Sequence, residues 1–229
     1  MIYNYYFDLD GTLIDSNVEV NSITEVLNVI NSKISYIDFK KYCDDLFNYS
    51  PFFNYMISIG IGVNELFWID QYFHGDELED FYKWVDVFQR ECYKYIKELS
   101  FCEKKFPMST YFRPIAIKKL IINYEFLDVY LGNISSNFYI ITNGDSYIQY
   151  QKIFYSGLLP FFKMVFVSGD FGVGKPSKFF YEQILNITGE KPKDCYMIGD
   201  NFKKDILPSR ELGFRTLHVK RKEDLLTIN

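Results

Sequence analysis

Hydrophobic and polar residues follow two different periods along the chain, and each period predicts a different kind of structure. Residues 2–7, IYNYYF, are a short run of aromatic and β-branched residues, which predicts a buried strand. From Ser16 onward apolar residues recur at helical spacing, with Ser16 or Asn17 as the N-cap, and helical character continues to about residue 106. The clearest helix is predicted over residues 77–99, whose acidic first turn suits the helix dipole.

After Pro107 the pattern changes to strands that alternate with helices. Strands are predicted at NFYIITNGD, KMVFVSGD, DCYMIGDN and FRTLHV, and helices at RPIAIKKLIINY, residues 146–155, KFFYEQILN and FKKDILPSRELG. This alternation is typical of parallel βαβ units in an open sheet. The predicted fold class is therefore α/β, a doubly wound, Rossmann-like parallel sheet core of residues 1–16 and 108–229. An all-helical cap domain, residues 17–107, is inserted after the first strand.

Charge supports this division into two units. The formal net charge is −5, which argues against a general nucleic-acid binder. Residues 17–107 carry 9 Lys and Arg against 15 Asp and Glu, whereas the rest of the chain carries 16 against 15. The acidic excess therefore lies in the predicted cap.

Several classes of protein are not expected from this sequence. The four cysteines form no C-x-x-C pair and there are only two histidines, so a zinc site is not expected, and His74 and His218 are interpreted as structural or surface residues. No secretory signal and no run of eighteen apolar residues is visible, so we expect a cytoplasmic protein without a membrane partner. The oligomeric state is not indicated.

Polar residues follow the predicted strands at the edge of the sheet where ligands bind in open α/β folds. Carboxylates, a hydroxyl, an amide and an ammonium group therefore converge from four separate stretches of sequence. The set consists of Asp8 and Asp10 after the first strand, Thr142 and Asn143 after the second, Lys175 after the third, and Asp200 after the fourth, with Asp205 about one turn into the next helix.

Carboxylates that lie close together repel one another and resist ionisation, and a divalent cation relieves that repulsion. Asp8 and Asp200, with a few waters, suit Mg²⁺, which prefers octahedral oxygen ligands. Thr142, Lys175 and the backbone N–H groups of the turn after Asp8 are then placed to hold an anion. A metal ion and a lysine around a tetrahedral anion indicate phosphoryl transfer.

The lysine has a second possible interpretation. Residues 169–177, GDFGVGKPS, fit the opening of the nucleotide-binding pattern G-x-x-x-x-G-K-[ST]. That loop requires a hydroxyl immediately after its lysine, and here the position is Pro176, which has neither a hydroxyl nor a backbone N–H. Lys175 is therefore assigned to a phosphate site of another kind.

The ordered stretches FDLDGT, ITN, GKP and GDNFKKD resemble the four motifs of the haloacid-dehalogenase superfamily, over residues 5–16 and about 138–206. The resemblance implies that Asp8 is a nucleophile that forms an aspartyl-phosphate. It also implies that Asp10 is the general acid and then the general base, with its backbone carbonyl on Mg²⁺.

The same resemblance assigns the remaining residues. Thr142, Asn143 and Lys175 are implied to bind phosphate, and Asp200 is implied to bind the metal. Asp205 is implied to bind the metal directly or to support a ligand. With Asp8 and Asp10, the implied metal set has four aspartates.

The implied activity is that of a magnesium-dependent phosphatase acting on a small phosphorylated metabolite, with the cap as a mobile lid. The dehalogenases of the superfamily lack the second aspartate of the first motif, so Asp10 argues against dehalogenation. Two alternatives stay open, a sugar phosphomutase with the same first-strand aspartates and a non-catalytic binding protein on the same scaffold. The substrate itself is not indicated.

Plainer structural interpretations accompany these assignments. The Thr142–Gly144 stretch is also typical of an ordinary strand-to-helix turn, and Asp205 also suits the dipole of its helix. Asn201 is predicted as an N-cap. Asp145 and Asp170 are predicted to be solvated turn residues.

Overall fold

The computed structural model describes residues 3–30, 32–69, 78–97, 108–133 and 135–227. His74, the last residues of the helix predicted over 77–99 and the exit at Pro107 lie outside the described residues. The chain forms two compact units. The core unit comprises Met1–Ser16, Ser58–Gly60 and Leu120–Asn229, and the helical unit comprises Asn17–Ile57 and Ile61–Lys119.

The helical unit contains five helices and no strand within its described residues. A short 3₁₀ turn, Val63–Trp68, separates the third helix from the fourth. Asn17 occupies the N-cap position of the first helix, as predicted. The helices are α1 Val18–Val29, α2 Tyr36–Asn48, α3 Phe53–Ile59, α4 Glu79–Lys97 and α5 Ser109–Lys119.

The buried side chain of Gln89 on α4 connects three parts of the helical unit. Its Nε2 donates to the carbonyl oxygens of Leu66 and Ile69, each at 2.8 Å, and its Oε1 accepts from the backbone N–H of Ser109 at 3.0 Å. The helix α5 therefore belongs to the helical unit, where it also packs against α1. The predicted boundary at residues 107 and 108 consequently differs from the observed boundary at Leu120.

Five parallel strands form the sheet of the core unit, in the order β3-β2-β1-β4-β5. The first strand lies at the centre, where Phe7 pairs with Ile140 on one side and Ile198 on the other. All four residues of β1 are buried, as expected for a strand covered on both faces. The strands are β1 Asn4–Phe7, β2 Asn137–Thr142, β3 Met164–Val167, β4 Cys195–Gly199 and β5 Arg215–His218.

Aromatic side chains cover both faces of this sheet, because successive residues of a strand point to opposite faces. On one face Tyr6 stacks on Tyr139 with ring centroids 4.6 Å apart, in a cluster that includes Phe180. On the other face Phe7 packs edge-on against Phe126 at 5.3 Å. The predicted α/β fold with helices on both sides of a parallel sheet is confirmed.

The core helices are α6 Tyr124–Gly132, α7 Ser146–Tyr155, α8 Ser168–Phe171, α9 Lys178–Thr188 and α10 Leu207–Glu211. The sequence did not predict α6, and it placed the end of α5 too far along the chain. The helix predicted at FKKDILPSRELG is a π-helical turn, Phe202–Ile206, followed by α10. Pro208 lies at the start of α10, where its missing N–H costs little. None of the described helices is long and apolar enough to cross a membrane.

Candidate active site

The predicted site residues around Asp8 meet at the carboxyl edge of the sheet. Asp8 follows β1 directly, and its backbone N–H donates to Ile198 of β4 at 2.8 Å. Its carboxylate Oδ1 accepts from the N–H of Leu9 at 2.8 Å, and the residue is only 8% exposed. The central strand thus fixes a nearly buried carboxylate at the point where β1 and β4 end.

Lys175 lies between two of the aspartates. Its Nζ is 2.8 Å from Asp8 Oδ1 and 2.6 Å from Asp205 Oδ1, and the side chain is buried. Burial lowers the pKa of Lys175, but the neighbouring carboxylates of Asp205 and Asp8 outweigh that effect and raise the pKa above its ordinary value. The lysine is therefore a permanent buried cation.

Three carboxylates form one cluster beside this cation. Oxygen atoms of Asp8, Asp200 and Asp205 all lie within 4.8 Å of one another. Burial, followed by repulsion from Asp205, raises the pKa of Asp8 to about 8 despite the opposing effect of Lys175. The same two causes raise the pKa of Asp200. Three carboxyl groups face one ammonium group, and this excess of hard oxygen donors fits a divalent cation such as Mg²⁺.

Two glycines leave room for these carboxylates. Gly11 has a φ of +83°, and a Cβ built on it would overlap the carboxylate of Asp200. A Cβ on Gly199 would overlap the carboxylate of Asp205. The glycine of the DLDGT stretch therefore serves both the turn after β1 and the close approach of Asp200.

Asp205 is completely buried, and both of its carboxylate oxygens have partners. Oδ1 accepts from Lys175, and Oδ2 accepts from the backbone N–H of Asn201 at 2.9 Å. Asn201 in turn caps the π-helical turn by accepting from the N–H groups of Lys203 and Lys204, so the predicted N-cap is confirmed. Asp205 thus contacts the ammonium group of Lys175, which the plain helix-dipole interpretation did not anticipate.

The two residues predicted to bind phosphate at the end of β2, Thr142 and Asn143, lie inside the core unit. Thr142 is 1% exposed, and its hydroxyl lies 3.4 Å from Gln149 Oε1. Asn143 Nδ2 donates to the carbonyl oxygen of Lys175 at 2.7 Å, and its Oδ1 accepts from the N–H of Lys175 at 2.8 Å. The amide of Asn143 therefore holds the backbone of the lysine loop.

Asp10 contacts a residue that the sequence reasoning missed. Lys152 Nζ lies 3.0 Å from Asp10 Oδ1 and 3.2 Å from Oδ2, and the lysine side chain is 1% exposed. Lys152 follows Ile148 by one helical turn, on the buried face of α7. Lys152 could have been identified from the sequence, because it is in register with the apolar residues of the helix. A lysine on a buried face requires a partner of opposite charge.

One further prediction about a single residue changes. Asp145 is not solvated, since it is 1% exposed and caps α7 by accepting from the N–H of Ile148 at 3.2 Å. Asp170 is exposed, as predicted, and accepts from the hydroxyl of Tyr150 at 3.2 Å. His218, interpreted as structural or surface, lies with its Nε2 2.9 Å from the carbonyl oxygen of Asp200.

An open cleft gives access to the carboxylate cluster. Its volume is about 460 Å³, and Gly11, Asp200 and His218 form part of its wall. The three consecutive basic residues 220–222 line the same cleft. A small solute can therefore approach Asp200 from solvent within the core unit.

The chain belongs to the haloacid dehalogenase-like hydrolases, because the family model of that description matches residues 5–213. The match covers the helical insertion as well as the core, whereas the four motifs lie in the core alone. The predicted family membership is confirmed.

Two curated relatives match one part of the chain. A glyceraldehyde 3-phosphate phosphatase from Methanocaldococcus jannaschii is 38% identical over 80 residues, 35% of this chain and 35% of the relative. A phosphoserine phosphatase from Thermus thermophilus is 35% identical over 82 residues, 36% of this chain and 33% of the relative. The chain thus matches about a third of the length of these relatives.

A solved structure matches nearly the whole chain. The HAD-hydrolase YfnB from Bacillus subtilis, bound to magnesium, superposes with a TM-score of 0.61 and covers 96% of this chain and 89% of its own. The two sequences are 20% identical over that match, so the likeness shows a shared fold.

Proposed function

We propose that the protein is a magnesium-dependent phosphatase that hydrolyses a small phosphate monoester through an aspartyl-phosphate on Asp8. The observation that carries this proposal is the contact of Lys175 with both Asp8 and Asp205 beside the carboxylate of Asp200. A cation and a metal-binding cluster around one carboxylate match the needs of a phosphoryl group in transfer. Family membership and the phosphatases among the partial relatives support the same reaction.

In this proposal Asp8 and Asp200 hold Mg²⁺, together with the backbone carbonyl of Asp10. When bound, the ion neutralises charge on the phosphoryl oxygens and offsets the repulsion among the aspartates. Both oxygens of Asp205 already accept hydrogen bonds, so we assign Asp205 to holding Lys175 in place. The magnesium reported for YfnB supports this choice of ion.

The reaction proceeds in two displacements. A carboxylate oxygen of Asp8 attacks phosphorus, the bond between phosphorus and the ester oxygen breaks, and Asp10 gives its proton to the leaving alcohol. Water then attacks the aspartyl-phosphate, Asp10 accepts a proton from that water, and Asp8 is released with inorganic phosphate. Lys175 stays positively charged throughout and stabilises the phosphoryl oxygens.

Asn143 and Thr142 are assigned different parts in phosphate binding. The paired contacts of Asn143 with the backbone of Lys175 set the position from which the lysine reaches Asp8. Thr142 ends β2 next to Asn143, and we assign its hydroxyl to a contact with the bound phosphate. In this proposal Thr142 contacts the phosphate directly, whereas Asn143 acts on it through the position of Lys175.

We infer that the substrate is small. Both partial relatives carry the name of a small monophosphate, glyceraldehyde 3-phosphate in one and phosphoserine in the other. These two names differ in the leaving group and agree in the phosphate, and the residues that we assign to the site act on the phosphate and the metal. We therefore propose a small phosphate monoester as the class of substrate.

Release of inorganic phosphate from p-nitrophenyl phosphate and from a panel of small phosphorylated metabolites tests the proposal. We expect turnover with Mg²⁺, loss of turnover in excess EDTA, and no turnover by Asp8→Asn. A phosphorylated isomer as the product, instead of free phosphate, would identify a phosphomutase. Undiminished turnover in EDTA, or turnover by Asp8→Asn near that of the parent, would refute the proposed mechanism.

A further inference from the structure

The most unusual charge in the described core unit outside the Lys175 cluster is the ammonium group of Lys152. The side chain is 1% exposed, and it extends from the last turn of α7 toward Asp10. Removal of an ammonium group from water costs several kcal/mol unless a partner of opposite charge compensates. Lysine is rarely fully buried for this reason, and a hydrophobic residue at position 152 would complete the apolar stripe at lower cost.

The contact between Lys152 and Asp10 engages both ends of the carboxylate. Nζ lies 3.0 Å from one oxygen and 3.2 Å from the other, so rotation of the carboxylate in either direction lengthens one hydrogen bond. Asp10 itself is less constrained by burial, because 30% of its side chain is exposed. The lysine is therefore the rigid member of the pair.

Helix α7 holds Lys152 firmly. Asp145 caps the first turn, and Ile148, Gln149 and Ile153 are buried together with Lys152. The ammonium group therefore approaches Asp10 from a packed element of the core. The arrangement joins α7, which follows β2, to the turn that follows β1.

We propose that Lys152 is a positioning residue that holds the carboxylate of Asp10 in the orientation for proton transfer to the leaving group. This inference rests on the proposed function, in which Asp10 gives a proton to the departing oxygen. The proton travels from Asp10 to that oxygen, and Lys152 keeps its own protons. A general acid acts only within hydrogen-bonding distance of the atom that it protonates, so orientation of Asp10 contributes directly to rate.

A purely structural role for Lys152 predicts a different result. Loss of packing would weaken the enzyme equally toward every substrate. Loss of positioning would weaken it most where protonation of the leaving group matters most. The leaving group thus separates the two roles.

The test compares kcat/KM for phenyl phosphate and p-nitrophenyl phosphate with Mg²⁺ in the full chain. Phenolate is a poor leaving group that requires protonation, whereas p-nitrophenolate departs readily without it. For Lys152→Met we expect kcat/KM for phenyl phosphate to fall on the order of 10²-fold, the lower end of the contribution of general acid catalysis. We expect kcat/KM for p-nitrophenyl phosphate to fall by less than about tenfold, because that reaction depends little on the acid.

Two further variants show whether Lys152 acts through Asp10. Asp10→Asn should produce the same preference for the better leaving group. The double variant Lys152→Met/Asp10→Asn should be no slower than Asp10→Asn alone, since residues that act as one unit are not additive. Lys152→Arg, which keeps the positive charge, should recover part of the loss on phenyl phosphate. Lys178→Met is the matched control, because Lys178 is exposed and forms a surface ion pair with Glu211 at 2.7 Å.

The outcomes are distinct. Equal losses on the two substrates, or multiplied losses in the double variant, would overturn the positioning role and leave the proposed phosphatase activity intact. If Lys152→Met does not fold, Lys152→Arg decides in the same way, with a smaller preference for p-nitrophenyl phosphate expected and equal losses overturning the inference. A parent protein that hydrolyses neither substrate would refute the proposed function itself, and with it the role of Lys152.

Discussion

Asn143 and Lys175 are joined in both directions, since the side-chain amide of Asn143 donates to the carbonyl oxygen of Lys175 and accepts from its N–H. The two residues are 32 positions apart and follow different strands. The lysine that reaches Asp8 therefore depends on an amide that does not touch Asp8. We therefore predict that substitution of the uncharged Asn143 weakens phosphate binding, although the charge of Lys175 is kept.

Replacement of Asn143 by Ala removes both hydrogen bonds and leaves the N–H and C=O of Lys175 without those partners. We expect the KM for p-nitrophenyl phosphate to rise and kcat to fall, by a combined factor of about 10 to 10³, since each lost hydrogen bond costs about 1–2 kcal/mol. Steady-state kinetics measure both constants. Asn186→Ala, on the exposed face of α9, is the control and should leave them unchanged. An unchanged Asn143→Ala enzyme would mean that the lysine loop holds its position without this amide.

Replacement of Lys175 by Met tests the buried cation. The change leaves the carboxylates of Asp8 and Asp205 without their ammonium partner, and loss of one member of a buried ion pair costs about 3–5 kcal/mol. We expect a lower free energy of unfolding in urea without Mg²⁺ and a loss of kcat/KM of at least about 10²-fold. Lys178→Met, at an exposed position, should change neither quantity much. Similar effects of the two substitutions would contradict the assignment of Lys175.

The pKa of Asp8 predicts how stability depends on pH in the metal-free protein. Burial and repulsion from Asp205 raise this pKa from 3.8 to about 8, so between these values the folded protein holds a proton that the unfolded chain has lost. Stability due to this group is complete below the unfolded pKa and is lost as pH rises through the folded pKa. The slope is at most about −1.4 kcal/mol per pH unit.

Urea denaturation at pH 5 and pH 8 in EDTA measures this effect. The free energy of unfolding should fall more steeply with pH in the parent than in Asp8→Asn, which has no proton to lose at position 8. Addition of Mg²⁺ should reduce the difference, because a bound cation favours the ionised carboxylate. A parent and an Asp8→Asn variant with the same pH dependence in EDTA would contradict a raised pKa for Asp8.

Gly11→Ala tests the close approach of Asp200. A Cβ at this position meets the carboxylate of Asp200, and the φ of +83° adds backbone strain of about 1 kcal/mol. Gly189→Ala is a matched control, because its φ is +70° and nothing lies within 4 Å of the added Cβ. Both variants should lose stability, but only Gly11→Ala should require a higher Mg²⁺ concentration for half-maximal activity. An unchanged requirement for Mg²⁺ would show that the carboxylate of Asp200 can move away from the added Cβ without weakening Mg²⁺ binding.

Much of the fold and the meeting of the charged residues could be predicted from the sequence. Aspartates that end apolar strands converge because parallel strands share one carboxyl edge, and this rule brought Asp8, Asp200 and Lys175 together. Lys152 was missed because it lies within a helix, where its partner depends on how α7 packs against the turn after β1. The boundary at Leu120 was missed because the contacts of α5 with α1 and Gln89 link residues far apart in the sequence.

The short segment Ser58–Gly60 contacts the core through backbone atoms, which the pattern of hydrophobic and polar residues does not reveal. The carbonyl oxygen of Ile59 accepts from Gly144 N–H at 2.9 Å and from the hydroxyl of Ser168. The carbonyl oxygen of Ser58 accepts from Gly174 N–H at 3.1 Å. Any residue type offers such carbonyl groups, so helical periodicity placed the segment in the cap, whereas the structure assigns it to the core unit.

This assignment changes how the insertion can be manipulated. The chain passes between the two units at four points instead of two. The helical unit is therefore not one continuous insertion that can be removed as a single segment. A deletion of residues 17–119, or an exchange of that segment with a relative, also removes the acceptors for the turns that carry Asn143 and Lys175. A minimal core must therefore retain residues 58–60, inserted between residues 16 and 120, to keep the turns that carry Asn143 and Lys175 in place.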